Sequence, residues 1–356
     1  MKIYQLLSKQ TVKAQLAVST KEQTLDAVIN LLGPLVDSSK LETIRLAVKE
    51  RESIMSTGVG KGLAIPHAKV PGLDSNFAAF ALLENGIEYS SIDNAPVQLV
   101  FLIVGPATHN SEHIKMLSRI SRLMNNDDFR EKLYECSDEE AIIEAFKLEE
   151  IKKELTNLLN AELANWKTKN PGVAEEDLPC LKMLGGKEKF FENANKYIHD
   201  IFDIENGLLN GGEQPVAIVM VGAPSAGKST AVKLVKNELS ISPERISKLI
   251  SVNSDSVIEA IYTVPPTLPE LPFECRALSN KINDFTFKLA KRYEKDIIYD
   301  ATGKDYYPHI EKITQLHSAG YKIVLCIVMI DRDVIVKRVQ GRNRDIAASI
   351  ARGEKN

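Results

Sequence analysis

The sequence predicts an α/β architecture: a mixed sheet flanked by helices over residues 1–147, a helical connector over 148–212, and a parallel sheet with helices on both faces over 213–356. Two observations predict it. In the first and last stretches, apolar residues switch repeatedly between helical spacing and short unbroken runs of strand character. In the middle stretch the runs are helical only.

Leu25, Val28, Ile29 and Leu32 recur at helical spacing, with Pro34 limiting the pattern. Ser39-Lys-Leu-Glu42 reads as a capping box opening a helix through Leu41, Ile44 and Val48. Gly58, Gly60 and Gly62 then break the pattern ahead of the β-like Leu63-Ala-Ile-Pro-His67. Phe77–Leu83 and Val97–Val104 read as strands, the second apolar enough to lie inside a sheet. A helix is expected from near Ser111, and another from the capping box Ser137-Asp-Glu-Glu140. The connector carries helical runs at Lys152–Trp166 and Lys187–Phe202, separated by Asn170-Pro171-Gly172, and Trp166 reads as packing. Beyond it, strands are expected at 216–221, 247–253, 296–300 and 321–330, the last preceded by the helix stop Ala319-Gly320.

Hydrophobic content of 44% and charged content of 26% are those of a soluble globular protein. A formal charge of −3 leaves no basic surplus to neutralise phosphates, so no nucleic-acid partner is expected. Cys136, Cys180, Cys275 and Cys326 show no C-x-x-C spacing, and neither a zinc site nor a disulfide framework is expected. No apolar run approaches the ~20 residues that cross a bilayer, and the first residues lack a signal-peptide core. A cytoplasmic protein without membrane insertion is the expectation.

The strand-like Val216–Val221 runs into Gly222-Ala223-Pro224-Ser225-Ala226-Gly227-Lys228-Ser229-Thr230, and an amphipathic helix follows with Val232, Leu234, Val235 and Leu239. This is G-x-x-x-x-G-K-[ST] between a buried strand and a helix start, the P-loop NTPase arrangement. Glycines let backbone N–H groups curl round phosphate oxygens, and the helix dipole favours the anion. Lys228 is expected at the outer phosphates of ATP and Ser229 on Mg²⁺. Asp300, ending another apolar strand in Asp300-Ala-Thr302-Gly303, is either a second Mg²⁺ candidate, directly or through water, or an Asx-turn residue. Asp255, after Asn253, is either a base for an acceptor hydroxyl or a cap of the helix 256–261. Arg338, Arg342 and Arg344 form a basic cluster that either closes over the nucleotide or is a solvated face, with Arg342 taken as the catalytic candidate.

The phosphate loop, N-x-D at 253–255, D-x-T-G at 300–303 and R-x(3)-R-x-R resemble the zeta-toxin group of P-loop small-molecule kinases over about residues 213–345. The resemblance implies ATP-dependent phosphorylation of a sugar nucleotide such as UDP-N-acetylglucosamine, with Asp255 as base. The residues after Asp255 lack the basic residue that such kinases often carry, and the sequence ends at Asn356 soon after the arginines. A nucleotide sensor without turnover is therefore the alternative expectation.

In the first stretch, His67 follows Pro66 at a strand-like end, where open α/β sheets keep ligand sites. His113 shares a helical stripe with Met116, Leu117 and Ile120, so it faces inward, either as a site residue or as a hydrogen-bonded core histidine. The block R51-E-x(4)-T-G-x-G-x-G-x-A-x-P-H67 and the later E112-H-x(3)-L-S-x-I closely resemble the type-2 enzyme IIA domain of the phosphoenolpyruvate-dependent sugar phosphotransferase system, in its fructose, mannitol and nitrogen-regulatory group. The resemblance covers about residues 1–147. It implies that His67 accepts a phosphoryl group from an HPr-like phosphocarrier, that His113 orients it, that Arg51 balances its charge, and that a IIB-type protein is a possible acceptor. A sugar-import component is the alternative reading of this half.

Overall fold

The computed structural model describes residues 2–108, 110–202, 214–223, 226–228, 230–232, 235, 242–262, 273–301, 307–329, 331, 333–334, 337–338 and 340. The chain divides into two compact units, Met1–Lys153 and Glu154–Asn356.

The first unit runs β1 (Val12–Leu16), α1 (Lys21–Asn30), α2 (Ser38–Ile54), β2 (Gly58–Gly60), β3 (Leu63–Ala64), β4 (His67–Val70), β5 (Phe77–Ile87), β6 (Val97–Pro106), α3 (Asn110–Met124), α4 (Asp127–Tyr134) and the start of α5 (Glu139–Lys169). Its sheet is mixed, as the sequence predicts, in the order β1-β5-β6-β3-β2 with β4 also on β6. β5 and β6 pair antiparallel, while β3 and β4 follow one another in parallel along the same edge of β6. The interruption between them is Ile65-Pro66: proline has no N–H for a ladder, yet its carbonyl still accepts from Ile103 N at 3.0 Å. His67 therefore re-enters the sheet at a fixed register, opposite Ile103.

Both faces of this sheet are covered. Leu25, Val28, Ile29 and Leu32 from the α1 region pack with Ile44 and Val48 of α2 against Ala79, Ala81, Val100 and Leu102. On the other face Phe80, Phe101, Phe129 and Phe146 form a cluster of tilted and edge-to-face rings with centroids 5.2–5.8 Å apart. β1 was not anticipated, because its Val12-Lys-Ala-Gln-Leu16 is too short and polar to stand out from loop. Two capping boxes are corrected. Asp37, not Ser39, caps α2 by accepting from Lys40 N, and Asp138, not Ser137, accepts from Ala141 N at the start of α5. A carboxylate is the stronger acceptor for exposed helix N–H groups, and it sits two residues before Ser39 in the first case and one residue after Ser137 in the second.

The second unit continues from α5 through α6 (Pro179–Met183) and α7 (Lys187–Phe202) to β7 (Val216–Val221), α8 (Pro243–Ser247), β8 (Ile250–Val252), α9 (Ser254–Ile261), α10 (Phe273–Arg292), β9 (Ile297–Ala301), α11 (Tyr307–Ser318) and β10 (Lys322–Ile327). Its sheet is parallel throughout, in the order β10-β7-β9-β8. The strand expected at 247–253 starts later, because Ser242 caps α8 and Pro243 occupies its first turn. The strand expected at 321–330 is confined to β10. Asp296, 3% exposed, accepts Arg245 Nε and Val216 N at 2.7 Å each, which ties the starts of β7 and β9 together.

The sequence expectation on cysteines is overturned for one pair. Cys180 of α6 and Cys275 of α10 form a disulfide with Cα atoms 5.4 Å apart. Their separation of 95 residues carries no local signature, and only the packing of α6 on α10 brings them together. The helices that read as a connector also pack on this unit, with Asn193 Nδ2 of α7 donating to Ile261 O at 3.0 Å. Among the described residues, no helix is long and apolar enough to cross a membrane.

Candidate functional sites

In the first unit, β4 carries His67 and Lys69 on one face, and β6 carries Ile103 and Gly105 beside them in register. α2 brings Arg51 in its last turn, and α3 brings His113 in its first. These meet at a pocket of about 490 Å³ lined by Glu50, Arg51, Ile54, His67, Lys69 and His113, among others. The His67 and His113 rings lie 6.0 Å apart between centroids. The sequence thus named three of the charged or titratable groups lining the pocket. It missed Lys69, which strand alternation from His67 places on the same face, and Glu50, the residue before Arg51.

His67 Nδ1 lies 2.8 Å from Ile65 O. A carbonyl can only accept, so Nδ1 holds the ring proton and Nε2 keeps its lone pair. Burial lowers the His67 pKa, the Ile65 carbonyl opposes that, and the Arg51 charge lowers it further. The ring is thus a neutral nucleophile near neutral pH. His113 is 2% exposed, and its pKa is lowered chiefly by burial, then by His67 where that ring is protonated and by the Lys69 charge. The Arg51 guanidinium donates to Met55 O at 2.9 Å, which holds it at the end of α2.

The Arg-Glu…Thr part of the motif has a structural meaning as well. Glu52, 7% exposed, accepts Thr57 N at 3.0 Å and Thr57 Oγ1 at 2.5 Å, and pairs with Lys21 at 2.6 Å. This pins the chain between α2 and β2, so Arg51 and the β2–β4 segment hold their spacing.

In the second unit, Gly227 takes φ +96, a left-handed conformation that favours glycine. Lys228 Nζ donates to Gly222 O at 2.9 Å and lies 3.0 Å from Asp300 Oδ1 of β9. Asp300 Oδ1 is nonetheless buried and accepts no aligned hydrogen bond. Lys228 is its cation here, and a carboxylate at the end of β9 beside a glycine loop fits a nucleotide-bound Mg²⁺ when Lys228 turns to the phosphates. Ala223, Ala226 and Thr230 are in the same loop-to-helix turn, with Ala226 buried. Pro224, Ser225, Ser229, Thr302, Gly303, Arg342 and Arg344 lie outside the described residues. Of the three arginines the described one, Arg338, reaches the loop: a methyl placed on Gly227 would sit 3.5 Å from its guanidinium. Asp255 is exposed in the first turn of α9, and the cap of that helix is Asn253, which accepts from Asp255 N at 2.9 Å. The capping alternative for Asp255 is thereby removed.

Two family models match separate parts of the chain. Residues 5–148 match the family model "Phosphoenolpyruvate-dependent sugar phosphotransferase system, EIIA 2", and residues 199–352 match that of "Zeta toxin". A nitrogen regulatory protein of Bradyrhizobium diazoefficiens is 34% identical over 142 residues, which cover 40% of this chain and 92% of that protein. A fructose-specific EIIABC component of Bacillus subtilis is 36% identical over 144 residues, 40% of this chain, and the match spans only 23% of that longer relative. The crystal structure of a nitrogen regulatory IIA protein from Neisseria meningitidis aligns with a TM-score of 0.39 at 25% identity, covering 40% of this chain and 98% of that one. The chain carries a zeta-toxin match at residues 199–352, and through its first unit it belongs to the EIIA type-2 family of the phosphoenolpyruvate-dependent sugar phosphotransferase system.

Proposed function

We propose that the first unit accepts a phosphoryl group on His67 Nε2 from an HPr-like phosphocarrier and passes it to a IIB-type acceptor. The observation that carries this reading is the His67 Nδ1 contact with Ile65 O. It fixes the tautomer and leaves one nucleophilic nitrogen on a residue lining the pocket. Arg51 and Lys69 supply positive charge for the incoming group. Ile54 and Ile114, 76% and 61% exposed at the same pocket, offer apolar area to a docking protein.

The second unit, on the same proposal, is an ATP-dependent kinase of a small molecule of the sugar-nucleotide class. Lys228, the glycines of its loop and Ser229 would hold the triphosphate, and Asp300 with Ser229 would hold Mg²⁺. ATP with Mg²⁺ supplies the activated phosphoryl group and its charge neutralisation. Asp255 takes the proton of the acceptor hydroxyl, and the positive charges of Arg338 and Arg342 would serve to balance the developing negative charge.

The test is direct. Incubated with phosphoenolpyruvate, enzyme I and an HPr-type protein, the chain gains one acid-labile, base-stable phosphate, and His67→Ala gains none. Equal labelling of the His67→Ala protein overturns the reading.

A further inference from the structure

Beside His67, two side chains hold buried polar atoms without hydrogen-bond partners among the described residues: both ring nitrogens of His113, and Oδ1 of Asn76. An unmade buried hydrogen bond costs about 1–3 kcal/mol, so such a pair in one place asks for an explanation.

The two meet at Gly105. β5 pairs Phe77 with Val104, which puts Asn76, just before that strand, beside Gly105. From the opposite edge β4 pairs Lys69 with Gly105 and His67 with Ile103. A methyl group on Gly105 would lie 2.1 Å from Asn76 Oδ1 and 3.4 Å from His113 Nδ1. The space a side chain would fill is therefore where the Asn76 carboxamide and the His113 ring approach each other. Gly105 is outside the left-handed region, so its requirement is steric. Of the His113 ring, Nδ1 is the atom nearest that space, which leaves Nε2 for the pocket the ring lines.

We propose that Asn76 is a positioning residue of the His67 phosphoryl site: its carboxamide oxygen accepts His113 Nδ1–H and so aims His113 Nε2 at the group carried by His67. The inference rests on the reading of His67 as the phosphoryl acceptor. A phosphoryl oxygen only accepts hydrogen bonds, so His113 stabilises it only when Nε2 carries a proton. While His67 is bare, burial together with the Lys69 charge favours the neutral ring. A phosphoryl group on His67 turns that neutral neighbour into an anion, and His113 then takes up a proton at Nε2. The resulting imidazolium donates at both ends, to Asn76 and to the phosphoryl group. The other charged groups around the pocket are Lys69 on β4 and Glu50 and Arg51 on α2, with Glu112 and Lys115 adjacent in sequence on the helix of His113.

The experiment uses the full chain with ¹⁵N-labelled histidines and phosphoramidate as the donor. His67 Nε2 attacks phosphorus, a new P–N bond forms, and ammonia leaves. Before donor is added, His113 is expected as the single Nδ1–H tautomer in the native protein. Asn76→Ala averages the two tautomers, Asn76→Asp restores the Nδ1–H form, and Gly105→Ala behaves as Asn76→Ala does. After donor is added, phospho-His67 is expected to hydrolyse several-fold faster in Asn76→Ala than in the native chain, with backbone amide spectra verifying the fold. Identical His113 nitrogen shifts and identical phosphohistidine lifetimes in native and Asn76→Ala proteins overturn the proposal. Absence of any phosphate on native His67 would instead count against the acceptor reading, and the tautomer comparison would still decide the role of Asn76.

Discussion

His67 and Ile65 are joined through one hydrogen bond, from the ring Nδ1 to a carbonyl oxygen 2.8 Å away. The carbonyl belongs to the two-residue break between β3 and β4, so sheet register determines which imidazole nitrogen is free. Phosphate is therefore expected on Nε2. ³¹P–¹⁵N coupling on the phosphorylated chain reads the attachment directly, and a signal at Nδ1 would contradict this geometry.

His113 makes stability depend on pH with a definite sign. Its folded pKa lies below the ordinary 6.5, pushed down chiefly by burial. Below pH 6.5 the unfolded chain binds a proton that the folded chain resists. Stability is then fully present above that value and falls as pH drops toward the folded pKa, by up to about 1.4 kcal/mol per pH unit for one proton. His113→Leu removes this contribution. The urea midpoint of the first unit should depend less on pH between 6.5 and the folded value than it does in the native chain, and equal slopes would show that His113 is not the group responsible.

Glu52 and Thr57 make a separate prediction on stability. Thr57→Val keeps the volume of the side chain but strips the 2.5 Å donor from a carboxylate that is 7% exposed. A loss of about 1–3 kcal/mol in urea unfolding is expected. Thr57→Ser, which keeps the hydroxyl, should recover most of it.

Much of both sites was legible because their chemistry is written in contiguous blocks. The phosphate loop follows its strand without interruption, and the Arg51-to-His67 block contains its own glycines and proline. His113 was legible from helical periodicity, since its stripe with Met116 and Ile120 is buried. Asn76 and Gly105 were not, because their meeting depends on the β5–β6 register, which no local pattern states. Arg338 and Arg342 were indistinguishable by spacing, and the place of Arg338 beside Gly227 is a tertiary contact that no local pattern states. The pairing of Cys180 with Cys275 was illegible for the same reason: helix packing, not sequence proximity, produces it.

Lys228 and Asp300 form an ion pair across the loop, with side chains 12% and 28% exposed. Lys228→Ala removes the cation expected at the outer phosphates, and a charge-assisted hydrogen bond of this kind is worth about 1.5–3 kcal/mol. ATP affinity by calorimetry should fall about ten- to hundredfold. Asp300→Asn keeps the shape and removes the charge. Its effect should appear mainly in the Mg²⁺ dependence of binding, and an unchanged Mg²⁺ dependence would remove Asp300 from the metal site.

The Cys180–Cys275 bond closes a segment whose ends are 95 residues apart, and it joins α6 to the first turn of α10. Constraining so long a loop in the unfolded chain stabilises the folded one by about 2–5 kcal/mol, although native-state strain can reduce that. Both cysteines are buried, so a reductant reaches the bond only when the α6–α10 contact opens. Cys180→Ser with Cys275→Ser should lower the unfolding midpoint of the second unit and leave that of the first unchanged. Dithiothreitol should lower the native midpoint toward that of the double variant and leave the variant's own midpoint where it was. A native midpoint insensitive to reductant at equilibrium would mean that the bond contributes nothing to stability.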